Sequence, residues 1–209
     1  MHCRKRHLPA VHRTARKPHT HSHRITVPRR PAGSANPQPA RRPSPAHGAG
    51  ACQDGGLEPN AQNLDRIRAA VMCLVNQERT SRGEGELQPN ERLEQAAQSH
   101  TESMAFGDYF EHVGPGGDTP LTRMRASGYI YSSQIGFEVG ENLAWGTLWE
   151  ASPRAIVASW MASQGHRENI LNPRFRDTAV GVSPHAPSSK SHGQLGALYT
   201  QDFGVIITG

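Results

Sequence analysis

Between residues 64 and 81 the apolar side chains Ile67, Val71, Leu74 and Val75 recur at helical spacing, with Asp65, Arg66, Arg68 and Glu78 between them. The pattern predicts an amphipathic helix that ends near Gly83. Leu87 to Asn90 reads as a turn, and Asn90 is placed to cap a second helix from Glu91 to about Phe106, with Leu93, Ala96, Ala97 and Met104 at its apolar positions. A loop over residues 107–117 follows. Asp118 is the expected cap of a third helix that runs through Leu121 and Met124 to the terminating Gly128. Phe137 to Trp145 alternates as a strand does. Ser152-Pro153 opens a fourth helix through Ile156, Val157, Trp160 and Met161, since proline suits the first helical position. Ser163 then caps a short fifth helix ending near Asn172-Pro173. Two more strands are expected at residues 178–183 and about 195–207, separated by a polar loop. Helices come first and then interrupt the strands without regular strand-helix alternation, which predicts an α+β layered domain. No internal repeat is present.

Charge divides the chain differently. Of 209 residues with a formal net charge of +5, the first 50 hold 11 of the 23 Lys and Arg and none of the 18 Asp and Glu, leaving 12 basic against 18 acidic residues in the rest. The whole-chain charge therefore sums a tail of +11 and a body of −6. The same 50 residues hold 8 of the 16 Pro and 7 of the 12 His but few apolar side chains, too few to offset the entropy of ordering them. The expectation is a disordered basic tail over residues 1–52 and a folded domain over residues 53–209. Arg4 to Arg6, Arg29-Arg30 and Arg41-Arg42 would attract any polyanion without specificity, because no aromatic residue interleaves them to stack on bases. Pro9, Arg13 and Arg16 break every candidate signal-peptide core, and the longest apolar run, Ala69 to Val75, is too short to span a bilayer.

Cysteine usage leaves two readings open. Cys52 opens the acidic body and Cys73 lies in the first helix, so a bridge between them would contribute about 3 kcal/mol by loop-closure entropy; an ordinary buried thiol at Cys73 fits equally well. Cys3 is left over.

Glu141 is the first chemical puzzle. In the predicted strand it shares a face with Leu143 and Trp145, and a carboxylate there costs several kcal/mol unless it is paired, hydrogen-bonded or on a metal. A partly exposed glutamate near the strand end is the simpler alternative. Glu138 should point to the other side. Among the body's histidines, His100 is expected to be exposed between Gln98, Ser99 and Glu102, and His185 and His192 lie in the polar loop. His112 and His166 remain, and two imidazoles with one carboxylate make a plausible zinc set with an open position. No HExxH, GxSxG or CxxC motif is present. Ser163 and His166 are close enough to suggest a nucleophile pair, but capping explains Ser163 more simply, and Trp160 and Met161 read as core.

Several of these segments, Val75-Asn76-Gln77-Glu78-Arg79, Phe110-Glu111-His112, Gly140-Glu141-Asn142-Leu143-Ala144, Trp160 through Leu171 with Gly165-His166-Arg167, and Val180-Gly181-Val182, together resemble the bacterial branch of the CAP superfamily. That superfamily comprises the cysteine-rich secretory, antigen 5 and pathogenesis-related 1 proteins, which share the SCP domain. The resemblance runs over residues 63–205. It implies a three-layer α-β-α sandwich with a central antiparallel sheet and a cleft that eukaryotic members line with two His and two Glu, some of them binding a divalent metal there. His112, Glu141 and His166 match three of those positions, while the fourth, three residues after Trp160, is Ser163. The resemblance thus implies a divalent metal site (zinc, calcium or magnesium) at His112, Glu141 and His166, with Asn142 and Ser163 in the cleft. It also implies export despite the absent signal peptide, which favours the Cys52–Cys73 disulfide. The expected function is a secreted monomer that binds a small molecule or lipid and leans away from catalysis; the alternative is a metal-dependent, protease-like hydrolase using the same cleft.

Overall fold

The computed structural model describes residues 52–207. The tail reading, apart from Cys52, concerns residues outside that range, as does the spare Cys3. In chain order the elements are α1 (Leu64–Thr80), β1 (Gln88–Pro89), α2 (Glu91–Gly107), α3 (Pro120–Ala126), β2 (Gly136–Thr147), a short 3-10 turn at Leu148–Ala151, α4 (Pro153–Ala162), α5 (Gln164–Ile170), β3 (Asp177–Ser183), α6 (Ser188–Ser191) and β4 (Gly196–Ile207). The strands form one sheet in the order β1-β3-β4-β2, antiparallel except for the parallel β1–β3 pair. The expected mixed α+β sandwich is what forms.

Side-chain alternation along the strands sorts the core into two layers. On one face Ala144, Val180, Val182, Ala197, Tyr199 and Phe203 meet Ile67, Val71 and Val75 of α1, Ile156 and Trp160 of α4 and Ile170 of α5. On the other, Leu143, Trp145, Leu198 and Ala179 meet Leu93, Ala96 and Met104 of α2 and Met124 of α3. Helix α2 lies unusually close: a Cβ on Gly181 would sit 2.5 Å from the Ala97 carbonyl, so glycine is required for the approach. Cys52 and Cys73 are bonded, 21 residues apart, and staple the start of the body to α1.

Three local expectations need correction. Asn90 caps α2 as expected, accepting from Arg92 N–H and Leu93 N–H, but α3 is capped by Thr119, and Asp118 instead pairs with Arg123. The Leu87–Asn90 turn contains the two-residue strand β1, fixed by Gln88 N–H to Arg176 O (2.8 Å) and Asn90 N–H to Thr178 O (3.1 Å). Ser152 and Ser163 flank their helices without making a side-chain cap bond, and Ser152 Oγ donates to Trp149 O.

Both edges of the sheet are dressed by side chains. At β2, the Glu141 carbonyl accepts from Asn169 Nδ2 (3.3 Å) and the Leu143 carbonyl from Trp160 Nε1 (3.1 Å). At β3, the side-chain amide of Gln98 bonds both Val182 N–H (2.9 Å) and Val182 O (3.2 Å), doing what a neighbouring strand would do.

Candidate functional site

Glu141 sits in the middle of β2 on the α2 face, with its side chain only 2% exposed. Its carboxylate is satisfied from two directions: His112 Nδ1 lies 2.7 Å from Oε1, and Arg123 Nη2 donates to Oε2 at 2.7 Å. The loop after α2 delivers His112, and α3 delivers Arg123. The guanidinium, itself 7% exposed, also donates to the His112 carbonyl (3.0 Å) and to Asp118 Oδ2 (2.9 Å), so one cation fixes both the loop and the carboxylate. Burial alone would raise the Glu141 pKa, but the His112 bond and the Arg123 charge outweigh it and hold the carboxyl below its usual range. Asp118 is likewise lowered by its bond to Arg123.

Directly across the ladder from Glu141 stands Asp202 of β4. The Leu148 N–H to Leu195 O bond continues the ladder past the end of β2, so the even residues of β2 bond β4 and Glu141–Asp202 is a non-bonded pair, the closer type, with Cα atoms about 4.5 Å apart. Asp202 is fully buried and neither of its oxygens makes a well-formed hydrogen bond among the described residues. Burial and the facing Glu141 carboxylate push its pKa well above the usual carboxylate range. Of the two acids, Glu141 gives up its proton first and Asp202 holds its proton to higher pH.

His100 completes the surroundings and overturns the expectation of exposure. It is 1% exposed, because positions 93, 97, 100 and 104 form the stripe of α2 that faces the sheet. Its Nε2 lies 2.9 Å from the Glu111 carbonyl, Nδ1 has no partner among the described residues, and burial lowers its pKa, leaving the ring neutral.

The expected residues are thus only partly brought together. His112 and Glu141 touch. His166 is buried on α5, which packs on the opposite face, where Asn142 Nδ2 holds its carbonyl at 3.1 Å. Asn142 is fully buried and binds Asn169 as well, so it ties β2 to α5 instead of lining a cleft with Glu141. Ser163, half-buried, sits at the α4–α5 junction. Among the described residues no three His, Cys, Asp or Glu side chains are grouped to hold a metal ion. A divalent cation does not fit this donor set: both Glu141 oxygens are engaged, and the cation beside them is the permanently charged Arg123.

The family model described as CAP, the cysteine-rich secretory protein family, matches residues 72–203. The chain belongs to that family. Among curated relatives, the uncharacterized protein YkwD of Bacillus subtilis is 34% identical over 133 residues, covering 64% of this chain and 45% of YkwD. The uncharacterized membrane protein YlbC of the same organism is 29% identical over 112 residues, covering 54% of this chain and 30% of YlbC. This CAP chain therefore spans less than half the length of those relatives. Its fold is similar to that of a Bacillus anthracis extracellular protein containing an SCP domain (TM-score 0.53, 24% identity, 69% of this chain and 43% of that one). It is also similar to an outer surface protein of Borrelia burgdorferi (TM-score 0.51, 16% identity, 69% and 92%).

Reading the sequence missed Arg123, Asp202 and His100. Asp202 left a trace, as the lone charged side chain of β4, and His100 falls on the α2 stripe; Arg123 left none, since Glu141 lies 18 residues away on another element.

Proposed function

We propose that this CAP protein is an exported, non-catalytic binding module whose small ligand or lipid hydrogen-bonds His112, with Glu141 and Arg123 as positioning residues. The observation behind the reading is the 2.7 Å contact between a buried carboxylate and an imidazole that remains 13% exposed. A carboxylate that accepts Nδ1–H fixes the tautomer and leaves Nε2 as an acceptor for a hydroxyl or amide of a ligand. Export is supported by the Cys52–Cys73 disulfide, a bond that persists outside the reducing cytosol. No helix among the described residues is long and apolar enough to cross a membrane.

Binding of a panel of fatty acid, sterol, phospholipid and cell-wall glycan probes to the full chain, measured by titration calorimetry, tests the reading. One class should bind, and His112→Ala should weaken it at least tenfold while Ser163→Ala leaves it unchanged. Binding indifferent to His112→Ala, or none across the panel, removes the proposal. The same contact supports a second reading, a hydrolase with His112 as general base. Turnover of ester or peptide substrates that vanishes in His112→Ala would replace the binding reading with that one. Recovery of oxidised protein from culture medium tests export; retention inside the cell with both thiols free would overturn it.

A further inference from the structure

Three large apolar side chains stand in solvent at one end of the sheet: Leu148, Trp149 and Leu195, the last of them 82% exposed. They are contiguous, because Leu148 and Trp149 are neighbours in the short turn after β2 and the Leu148 N–H donates to the Leu195 carbonyl at 2.9 Å. None of the three belongs to a core layer. Leu148 also has a left-handed backbone, φ 51°, a costly conformation for a bulky residue. Its exposed side chain gains no core contact in return, so packing does not explain the strain. The hollow beside the patch, lined by Trp145, Thr147, Lys190 and His192, measures about 50 Å³ and is too small for a ligand.

The start of the body returns to this end of the sheet. The Gly55 carbonyl accepts the Arg154 N–H at 2.8 Å, and Arg154 lies two residues past Ser152, whose hydroxyl bonds the Trp149 carbonyl. The chain leading to Gly55 carries, in residues 1–50, 11 Lys and Arg and no Asp or Glu. At the patch itself Lys190 and Glu150 cancel, so that leading segment supplies the charge. We infer that this end of the protein is a membrane-contact face: Leu148, Trp149 and Leu195 enter the headgroup boundary of an anionic lipid bilayer, and the basic segment that adjoins them holds the lipid phosphates. The two signals need each other. A wedge of three side chains gives marginal adsorption, whereas an apolar contact joined to a polybasic stretch is stable, each cation acting within a Debye length of the surface. Tryptophan suits the boundary, since its ring is apolar and its N–H polar. The face shares no residue with the His112 site and goes beyond the function proposed for it.

The probe is a vesicle of phosphatidylcholine and phosphatidylglycerol in equal parts, with brominated acyl chains that quench tryptophan, mixed with the full chain and followed by co-sedimentation and fluorescence. Trp145 and Trp160 are buried, so quenching reports Trp149. The expected result is saturable co-sedimentation with quenching, and neither with phosphatidylcholine alone. Leu148→Gly suits the left-handed backbone and Leu195→Ser changes an exposed side chain, so the double variant should keep the wild-type Tm or exceed it while its partitioning falls at least tenfold. Reversing Arg29, Arg30, Arg41 and Arg42 to Glu together should weaken partitioning as strongly. Co-sedimentation without quenching, or undiminished in the Leu148→Gly/Leu195→Ser variant, would reduce the contact to charge attraction and overturn the face. Equal binding to the uncharged vesicles, or no binding to either, overturns the inference as well. Loss of vesicle binding in His112→Ala would move the lipid to that site, and a dimer that the double variant dissolves would make the occupant a second copy of this chain; either result overturns it.

Discussion

The two faces of the sheet are built from the same three long strands but solve different problems. Toward α1, α4 and α5 the strands present an apolar layer packed around Trp160, Tyr199 and Phe203. Toward α2 and α3, alternate residues of those strands bury two carboxyl groups, with an arginine and two histidines brought up from the helical side. Apolar packing requires only volume and patterning, whereas each buried charge requires a specific partner at a specific distance. The second face is therefore the more demanding one and the more informative about function.

Breaking the apolar face should cost most. Trp160→Ala empties a fully buried site and removes the bond to the Leu143 carbonyl, and should lower stability by about 4 kcal/mol in urea unfolding. Arg123→Met leaves the buried Glu141 carboxylate with His112 as its one remaining charge partner, for a loss of about 3 kcal/mol, and the double change Arg123→Met with Glu141→Leu should recover most of it. If the double variant is no more stable than the single one, the pair is not the reason for the loss. Gly181→Ala should cost about 2 kcal/mol by pushing α2 off the sheet, and because His100 rides on α2, its ring resonances should move as well.

The smallest expected effect has the opposite sign. The folded pKa of Asp202 is raised above its unfolded value, so below the usual carboxylate range it costs nothing, and the penalty grows as pH rises toward the folded value. Asp202→Asn keeps a donor facing Glu141 and cannot ionise. It should stabilise the protein by roughly 1 kcal/mol near neutral pH, about 3 °C in Tm, with the gain closing as the medium is acidified. Glu141 works the other way: its folded pKa is depressed, so its contribution is present above the usual carboxylate range and lost as pH falls through the folded value. Thermal melts of the wild type and Asp202→Asn from pH 4 to pH 8 separate the two contributions.

This contrast also explains what could be read from the sequence. The apolar face obeys periodicity, and every long helix and strand on it was legible from spacing within a single segment. The burial puzzle at Glu141 was legible too, since its strand neighbours Leu143 and Trp145 are apolar. Its partners were not. Asp202 meets Glu141 through the β2–β4 register, which no single strand encodes, and Arg123 reaches it from a helix 18 residues upstream. The imidazole on α5 and the one after α2 look equivalent in the sequence, but α5 packs behind β2, where Asn142 holds the His166 backbone carbonyl.

The side chains covering the outer carbonyls of β2 have a further consequence. With Trp160 and Asn169 holding the Leu143 and Glu141 carbonyls, the middle of that border offers no free acceptors to an incoming chain, which blunts the aggregation hazard of a twelve-residue strand. At the β3 border Gln98 closes the outward peptide pair of Val182, and Arg68 reaches Gln98 and Glu94 across the strand where Val180 is buried. Self-association by edge pairing is thus disfavoured at both places by side chains, without a covering strand.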